Sequence, residues 1–259
     1  MRTQRRRRRL AWLRLVGGVL AVVLVVGGVW WLTRSTGDDA ATGAAPAATG
    51  GADETSAAEP TSQAEPVDSP CPAPPPLPAE PQQLDAAPDP ATAGDGRRVA
   101  TLATSCGDLT VELFADEAPQ AVASFALLAE EGYFADSPCH RLTTEGIFVL
   151  QCGDPTGSGQ GGPGYSFGPV ENAPADDVYP TGTLAMARVA GDGSSMGSQF
   201  FVVYDTSTIP SDDAGGYTVF GRVTDGLDVV RGIADAGAQG GSGDGPPVAG
   251  VSIEAVTLR

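Results

Sequence analysis

Residues 139–167 read CHRLTTEGIFVLQCGDPTGSGQGGPGYSF: two short apolar runs, HRLTT and GIFVLQ, followed by a glycine-rich segment. Runs this short, bounded by turn residues, predict β-strands rather than helices. Cys139 and Cys152 fall on consecutive strands, so a hairpin would bring them into bonding range and leave Cys71 for Cys106. Four cysteines allow three connectivities, however, and the sequence does not choose among them. Zinc lacks its usual ligand spacing, because no C-x₂-C pair is present and His140 is the sole histidine. His140 follows Cys139 on one strand candidate, so their side chains point to opposite faces, which argues against a Cys-His nucleophile. A buried histidine with a structural hydrogen bond is the expectation. The segment 153–167 has the composition of a phosphate cradle, but it contains no lysine and no helix follows it. It reads as a structural loop.

Outward from this stretch the same pattern continues. VATLATS and LTVELF alternate like strands around the turn Cys106-Gly107-Asp108. Asp116-Glu117-Ala118-Pro119 supplies an acidic first turn and an early proline, and Val122, Phe125, Leu128 and Ala129 then recur at helical spacing up to Gly132. GTLAMAR, SQFFVVY, YTVFGRV and VSIEAVTLR are further strand candidates, and a second helix fits residues 227–234. Many short strands, glycine- and proline-rich connections and two helices predict a mainly β barrel or sandwich over residues 98–259.

The rest of the chain differs in composition. The first 34 residues hold eight of the fifteen arginines and no acid, so the remaining 225 carry seven basic against 32 acidic groups, a net of −25. Such a body repels phosphate backbones and argues against a nucleic-acid partner. Lysine is absent, which excludes Schiff-base chemistry and a Walker-type loop. Residues 15–32, LVGGVLAVVLVVGGVWWL, are uncharged and as a helix would reach about 27 Å, close to the ~30 Å hydrocarbon core. With the arginine-rich residues 1–14 before it, the span is expected to leave the N-terminus in the cytoplasm and the rest outside. A cleaved signal peptide is the alternative, but bulky Trp30-Trp31-Leu32 stands where a small-residue cleavage site belongs. Residues 33–97, rich in Ala, Pro, Gly and acids, predict a disordered tether with polyproline II at CPAPPPLPAEP. The composition looks like a high-GC bacterial coding bias, and cysteines beyond the span suit an oxidising compartment.

No reactive cluster stands out on the strands. Instead Arg141, Phe148, Gln151, Met186, Gln199 and Phe201 suggest a shallow groove that grips a peptide. The block at residues 139–167 resembles the cyclophilin-type peptidyl-prolyl cis-trans isomerases. GTLAMAR (182–188), GSQFFVVY (197–204) and YTVFGRV (217–223) are similar to that family's later blocks, in order, and VELFADEAPQAVASF (111–125) to its second strand and first helix. The resemblance implies an eight-stranded antiparallel β-barrel capped by two α-helices, with no cofactor or metal and proline-containing polypeptides as substrates. It implies that Arg141 is catalytic and that Phe148, Val149, Gln151, Met186, Ala187, Arg188, Gln199, Phe201, Ile209 and Tyr217 bind substrate. The chain departs from the family's pattern at five places. Val149 replaces the usual Met, Arg188 an Asn, and Tyr217 a His. Two residues are inserted between His140 and Gln151, and SDDAGG follows Ile209-Pro210 as an apparent insertion. A cyclosporin-like ligand would accordingly bind weakly. The expectation is a membrane-tethered, extracytoplasmic isomerase, or a secreted one if the span is cleaved. A peptide-binding or scaffolding module with little turnover is the alternative.

Overall fold

The computed structural model describes residues 71–77 and 80–259. Strands β1 (Arg97–Thr104) and β2 (Leu109–Phe114) form the expected first hairpin, with Ala100 opposite Val111 and Leu102 opposite Leu109. Period-2 alternation places these four residues in the core. Helix α1 (Pro119–Glu130) follows with proline at its start. The acids expected in its first turn precede it instead: Asp116 accepts from the Gly96 N–H and Glu117 pairs with Arg97. Glu171, distant in sequence, takes their role. Its carboxylate accepts from the Gln120 and Ala121 N–H groups, each at 3.0 Å, where the helix dipole favours negative charge.

The remaining elements are β3 (Ser137–Pro138), β4 (Arg141–Thr143), β5 (Val149–Cys152), β6 (Val178–Tyr179), β7 (Thr183–Met186), β8 (Phe200–Val203), β9 (Ser207–Thr208), β10 (Val219–Asp225), α2 (Leu227–Asp235), β11 (Asp244–Gly245) and β12 (Ser252–Leu258). Ten strands join in the order β11-β4-β5-β8-β7-β10-β2-β1-β12-β3, while β6 and β9 pair separately. The eight strands expected are the longer members of this sheet, and the two-residue strands β3 and β11 extend it at either end. Eight strand spacings separate β4 from β3, about 38 Å if flat. Only Cys139 and His140 connect those two strands along the chain, a reach of about 11 Å. The sheet is therefore rolled.

Its interior holds the main core, in which Phe125 and Phe134 meet Phe200 and Phe220 under α1. Helix α2 adds Val230 and Ile233. A second, smaller cluster of Val149, Tyr179, Ala185, Phe201, Val203 and Ile209 lies on the opposite face of the central strands. The disulfides join Cys71 to Cys106 and Cys139 to Cys152, with sequence separations of 35 and 13. Closing loops of those lengths restricts the unfolded chain by roughly 3–4 kcal/mol each.

The proposed span at 15–32 lies outside the described residues, among which no helix is long and apolar enough to cross a membrane. The predicted coil at 33–97 needs correction at its C-terminal end. The Leu84 N–H donates to the Pro163 carbonyl at 2.7 Å, and the Gln120 side chain donates to the Pro88 carbonyl at 3.0 Å. A short 3-10 turn, Pro90–Ala93, is capped by Asp89 and buries Ala93 to 1% exposure. This strap docks through backbone groups and isolated side chains, which leave no apolar period to read. Phe220, fully buried between Phe125 and Phe200, tests the main core: Phe220→Ala is expected to lower unfolding free energy in urea by about 3–5 kcal/mol.

Candidate functional site

Strand register builds the site. Arg141 on β4 lies opposite Gln151 on β5, Gln151 opposite Phe201 on β8, Phe201 opposite Ala185 on β7, and Ala185 opposite Val219 on β10. Directly opposed residues share a face, so this row crosses five strands on the side away from the main core. Val149 and Val203 make the next row on the same face. Loops close the surroundings, giving a recess of about 120 Å³ lined by Arg141, Ile147, Val149, Gln151, Ala187, Arg188, Phe201, Ile209 and Tyr217. Phe201 and Tyr217 meet edge to face at 5.5 Å, both stacked about Tyr179, whose hydroxyl accepts the Tyr217 N–H at 2.8 Å.

The polar groups are held in a chain. Gln151 Nε2 donates to Gln199 Oε1 at 2.8 Å, and Gln199 Nε2 donates to the Gly159 and Gly161 carbonyls at 3.0 and 2.9 Å. Gln199 thereby orients Gln151 from a larger neighbouring hollow of about 430 Å³, which shares Gln151, Ala187 and Arg188 with the recess. Arg141 donates from Nε and Nη2 to the two carboxylate oxygens of Asp244 at 2.7 and 2.6 Å. That pairing raises the guanidinium's pKa and holds the Asp244 carboxyl below its ordinary range.

Four expected binding residues lie elsewhere or act differently, Gln199 in the neighbouring hollow among them. Met186 is 2% exposed in the main core, because it neighbours Ala185 and therefore points through the opposite face of β7. Phe148 packs on that core with its ring 6.0 Å from Tyr204, and Ile147 takes its place at the recess. Arg188 lines the wall, but its side chain is 1% exposed. Its donors are spent on Gly216, Val189, Gly215 and both carboxylate oxygens of Asp212, and its guanidinium lies 4.8 Å from the Tyr217 ring centre. Arg188 thus shapes the recess rather than gripping what enters it. Asp212 and Asp244 were missed, since each is one acid among glycines and other acids in a segment without apolar pattern.

His140 also departs from expectation: both ring nitrogens are buried without a hydrogen-bond partner among the described residues, beside Gly159. Burial lowers its pKa, favouring the neutral ring. The glycine-rich loop is structural, as expected. Buried Asp154 fills its centre, accepting from Thr156 N and Oγ1 at 2.8 and 2.7 Å and from Gly161 N at 3.0 Å. Burial opposes its ionisation, but these hydrogen bonds outweigh it and hold the carboxyl below its ordinary range. The Thr156 and Gly161 N–H groups that a phosphate cradle would use are occupied by the protein's own anion. Gly153, at φ 89°, enters this loop where a Cβ would collide with the Ser198 carbonyl.

The Arg188–Asp212 clasp can be tested directly. Asp212 also accepts the Gly191 and Ala214 N–H groups at 2.8 and 2.9 Å, and Asp212→Ala should speed exchange of those amide protons by about 10-fold. Hydrogen bonding to Arg188 depresses the Asp212 pKa. The clasp is therefore complete above the ordinary carboxylate range and loosens as pH falls through the depressed value.

A family model described as "Cyclophilin type peptidyl-prolyl cis-trans isomerase/CLD" matches residues 99–258. The "Probable peptidyl-prolyl cis-trans isomerase B" of Mycobacterium tuberculosis is 44% identical over 170 residues, covering 61% of this chain and 53% of that protein. Its namesake from Mycobacterium leprae is 43% identical over 182 residues, covering 66% of this chain and 58% of that protein. The chain thus spans a little over half the length of these two relatives. A crystal structure of a cyclophilin-type peptidyl-prolyl cis-trans isomerase from Cryptosporidium parvum matches with a TM-score of 0.53 at 27% identity, covering 63% of this chain and 98% of that one. A second, obtained in the presence of the dipeptide Ala-Pro, matches at 0.52 and 28%, covering 62% and 98%. Motif order, rolled sheet, groove and family match converge on residues 99–258, and the chain belongs to the cyclophilin-type peptidyl-prolyl cis-trans isomerase family.

Proposed function

We propose that this chain catalyses cis-trans isomerisation of X–Pro bonds in exported polypeptides, with Arg141 as the catalytic group. The observation that carries the reading is that the Arg141 side chain lines the same recess as the apolar side chains of Val149, Phe201, Ile209 and Tyr217. An X–Pro bond isomerises unaided in ~10–100 s, because twisting the amide breaks its resonance against a barrier of ~18–20 kcal/mol. No nucleophile or transferred proton is needed. As the amide twists, the prolyl nitrogen pyramidalises and exposes a lone pair, and a guanidinium aimed there binds the transition state better than the ground state. The apolar walls hold the pyrrolidine ring and exclude water. Gln151, oriented by Gln199, keeps one N–H for the carbonyl that swings.

A second reading, a peptide-binding module with little turnover, is favoured by one observation, the pairing of Arg141 with a carboxylate. A protease-coupled assay on a proline-containing tetrapeptide separates the two. Isomerisation well above the spontaneous rate is expected, and Arg141→Ala should lower kcat/KM by roughly 10²–10³ with the fold intact. Activity persisting within a few-fold would remove Arg141 from the centre of the mechanism.

The proposed address follows from residues 1–34. Residues 15–32 act as an uncleaved single-pass anchor, N-terminus inside, with the isomerase domain outside on the tether, and the two disulfides suit an oxidising compartment. Protease added to intact cells should remove the domain, and carbonate washing beforehand should leave it with the membranes. Mature protein in the medium beginning after Leu32 would make it a secreted enzyme instead.

A further inference from the structure

Asp244 touches Arg141 without belonging to any recognisable motif. The pair is side-on and bidentate, engaging Nε–H and one Nη2–H. A guanidinium carries five N–H groups, and the others make no hydrogen bond among the described residues, while Arg141 itself lines the recess. Asp244 is held in place from several sides. In the β11–β4 ladder it lies opposite Thr143, with Gly245 opposite Leu142. The Thr144 N–H donates to the Gly243 carbonyl at 2.8 Å, and Ser242 Oγ donates to the Asp244 carbonyl at 2.7 Å. Gly243 lies so close to Glu145 that a Cβ there would meet its side chain at 2.8 Å. Thr144 and Glu145 belong to the lengthened run between β4 and β5. That run therefore seats the loop between α2 and β12, and the loop delivers a carboxylate to one edge of Arg141.

Resting on Arg141 as the catalytic group, we propose that Asp244 is a positioning residue for the isomerisation. It fixes the plane and rotamer of the guanidinium so that the unbound N–H edge faces the prolyl nitrogen, and it does not itself touch substrate. An arginine at 40% side-chain exposure would otherwise sample many rotamers and lose that freedom in the transition state. Asp244 acting as a brake by neutralising Arg141 is the opposing account. Its side chain is 55% exposed, so water screens its charge while the two hydrogen bonds still dictate geometry.

The test uses the full-length chain carrying Asp244→Ala, Asp244→Asn or, as control, Glu112→Ala, which breaks the Arg222 bridge away from the recess. Asp244→Ala should lower kcat/KM roughly 10-fold, with the Kd of a proline-containing tetrapeptide, from NMR titration, moving less than about 2-fold. Asp244→Asn, which keeps one acceptor oxygen, should recover part of the loss, and Glu112→Ala should change nothing. Exchange of the Arg141 Nε–H, followed by nitrogen-15 NMR, should be slow in the parent and fast in Asp244→Ala. Activity unchanged or raised in Asp244→Ala overturns the proposal. So does a loss matched by an equal loss of peptide affinity, with Asn no better than Ala. If Asp244→Ala does not fold, Asp244→Asn and the Nε–H exchange decide, and fast exchange in Asp244→Asn with unchanged activity overturns the proposal. A parent chain that binds peptide without turnover sinks the isomerase reading beneath it.

Discussion

Strand β8 is buried on both faces, and most of the molecule depends on that. Phe200 and Val202 enter the main core beneath α1, while Phe201 and Val203 enter the smaller cluster under the recess. The pleat alternates sides every residue, so a slip of one position would exchange the two sets and shift each out of register with its packing partners. Its neighbours obey the same division: Leu150 and Cys152 face inward from β5 while Val149 and Gln151 face the site, and Leu184 and Met186 face inward from β7 while Ala185 faces the site. The face that carries the recess and the face that carries the core are thus two sides of one registered ladder. The Cys139–Cys152 disulfide ties the residues flanking the Arg141–Gln151 pair and reinforces that register beside the site.

In a chain this acidic, the arginines near the groove are each matched to a carboxylate, but burial separates their roles. Arg188, at 1% side-chain exposure, must have its donors satisfied internally, because an unpaired buried guanidinium is costly. It therefore becomes part of the wall, organising residues 212–216 and the Tyr217 ring. Arg141 remains half in solvent, is paired along one edge, and keeps the rest of its donors available. The same residue type serves as scaffold in one place and as candidate catalyst in the other, and the difference is how much water each retains.

Much of this protein was legible in its residues. The period-2 pattern of the first hairpin, the spacing of Val122, Phe125 and Leu128, and the short helix from Leu227 all reflect local rules of strand and helix, which depend on neighbours in sequence. Both disulfide partnerships were favoured, though not decided, by cysteine placement. The motif order around Arg141, Gln151, Gln199 and Tyr217 carried the family. The coil predicted for 33–97 runs too far at its C-terminal end, because the strap there docks by backbone hydrogen bonds and isolated side chains, which composition does not encode.

What the residues alone could not assign was the side to which each strand residue points. LTVELF shows an alternation because one face is buried more fully than the other; TLAM and FFVV show none because both faces are buried. With no polar position to mark the outside, Met186 and Phe148 looked as eligible for the groove as Val149 and Phe201. Only pairing with strands distant in sequence set their parity. The same holds for Asp212, Asp244 and Glu171, single acids in pattern-free loops. Motif and local period determined which elements form and which family this is. Tertiary structure decided which carboxylate meets which arginine or helix end, because a charge acquires its role only when a partner far along the chain is brought within hydrogen-bonding distance.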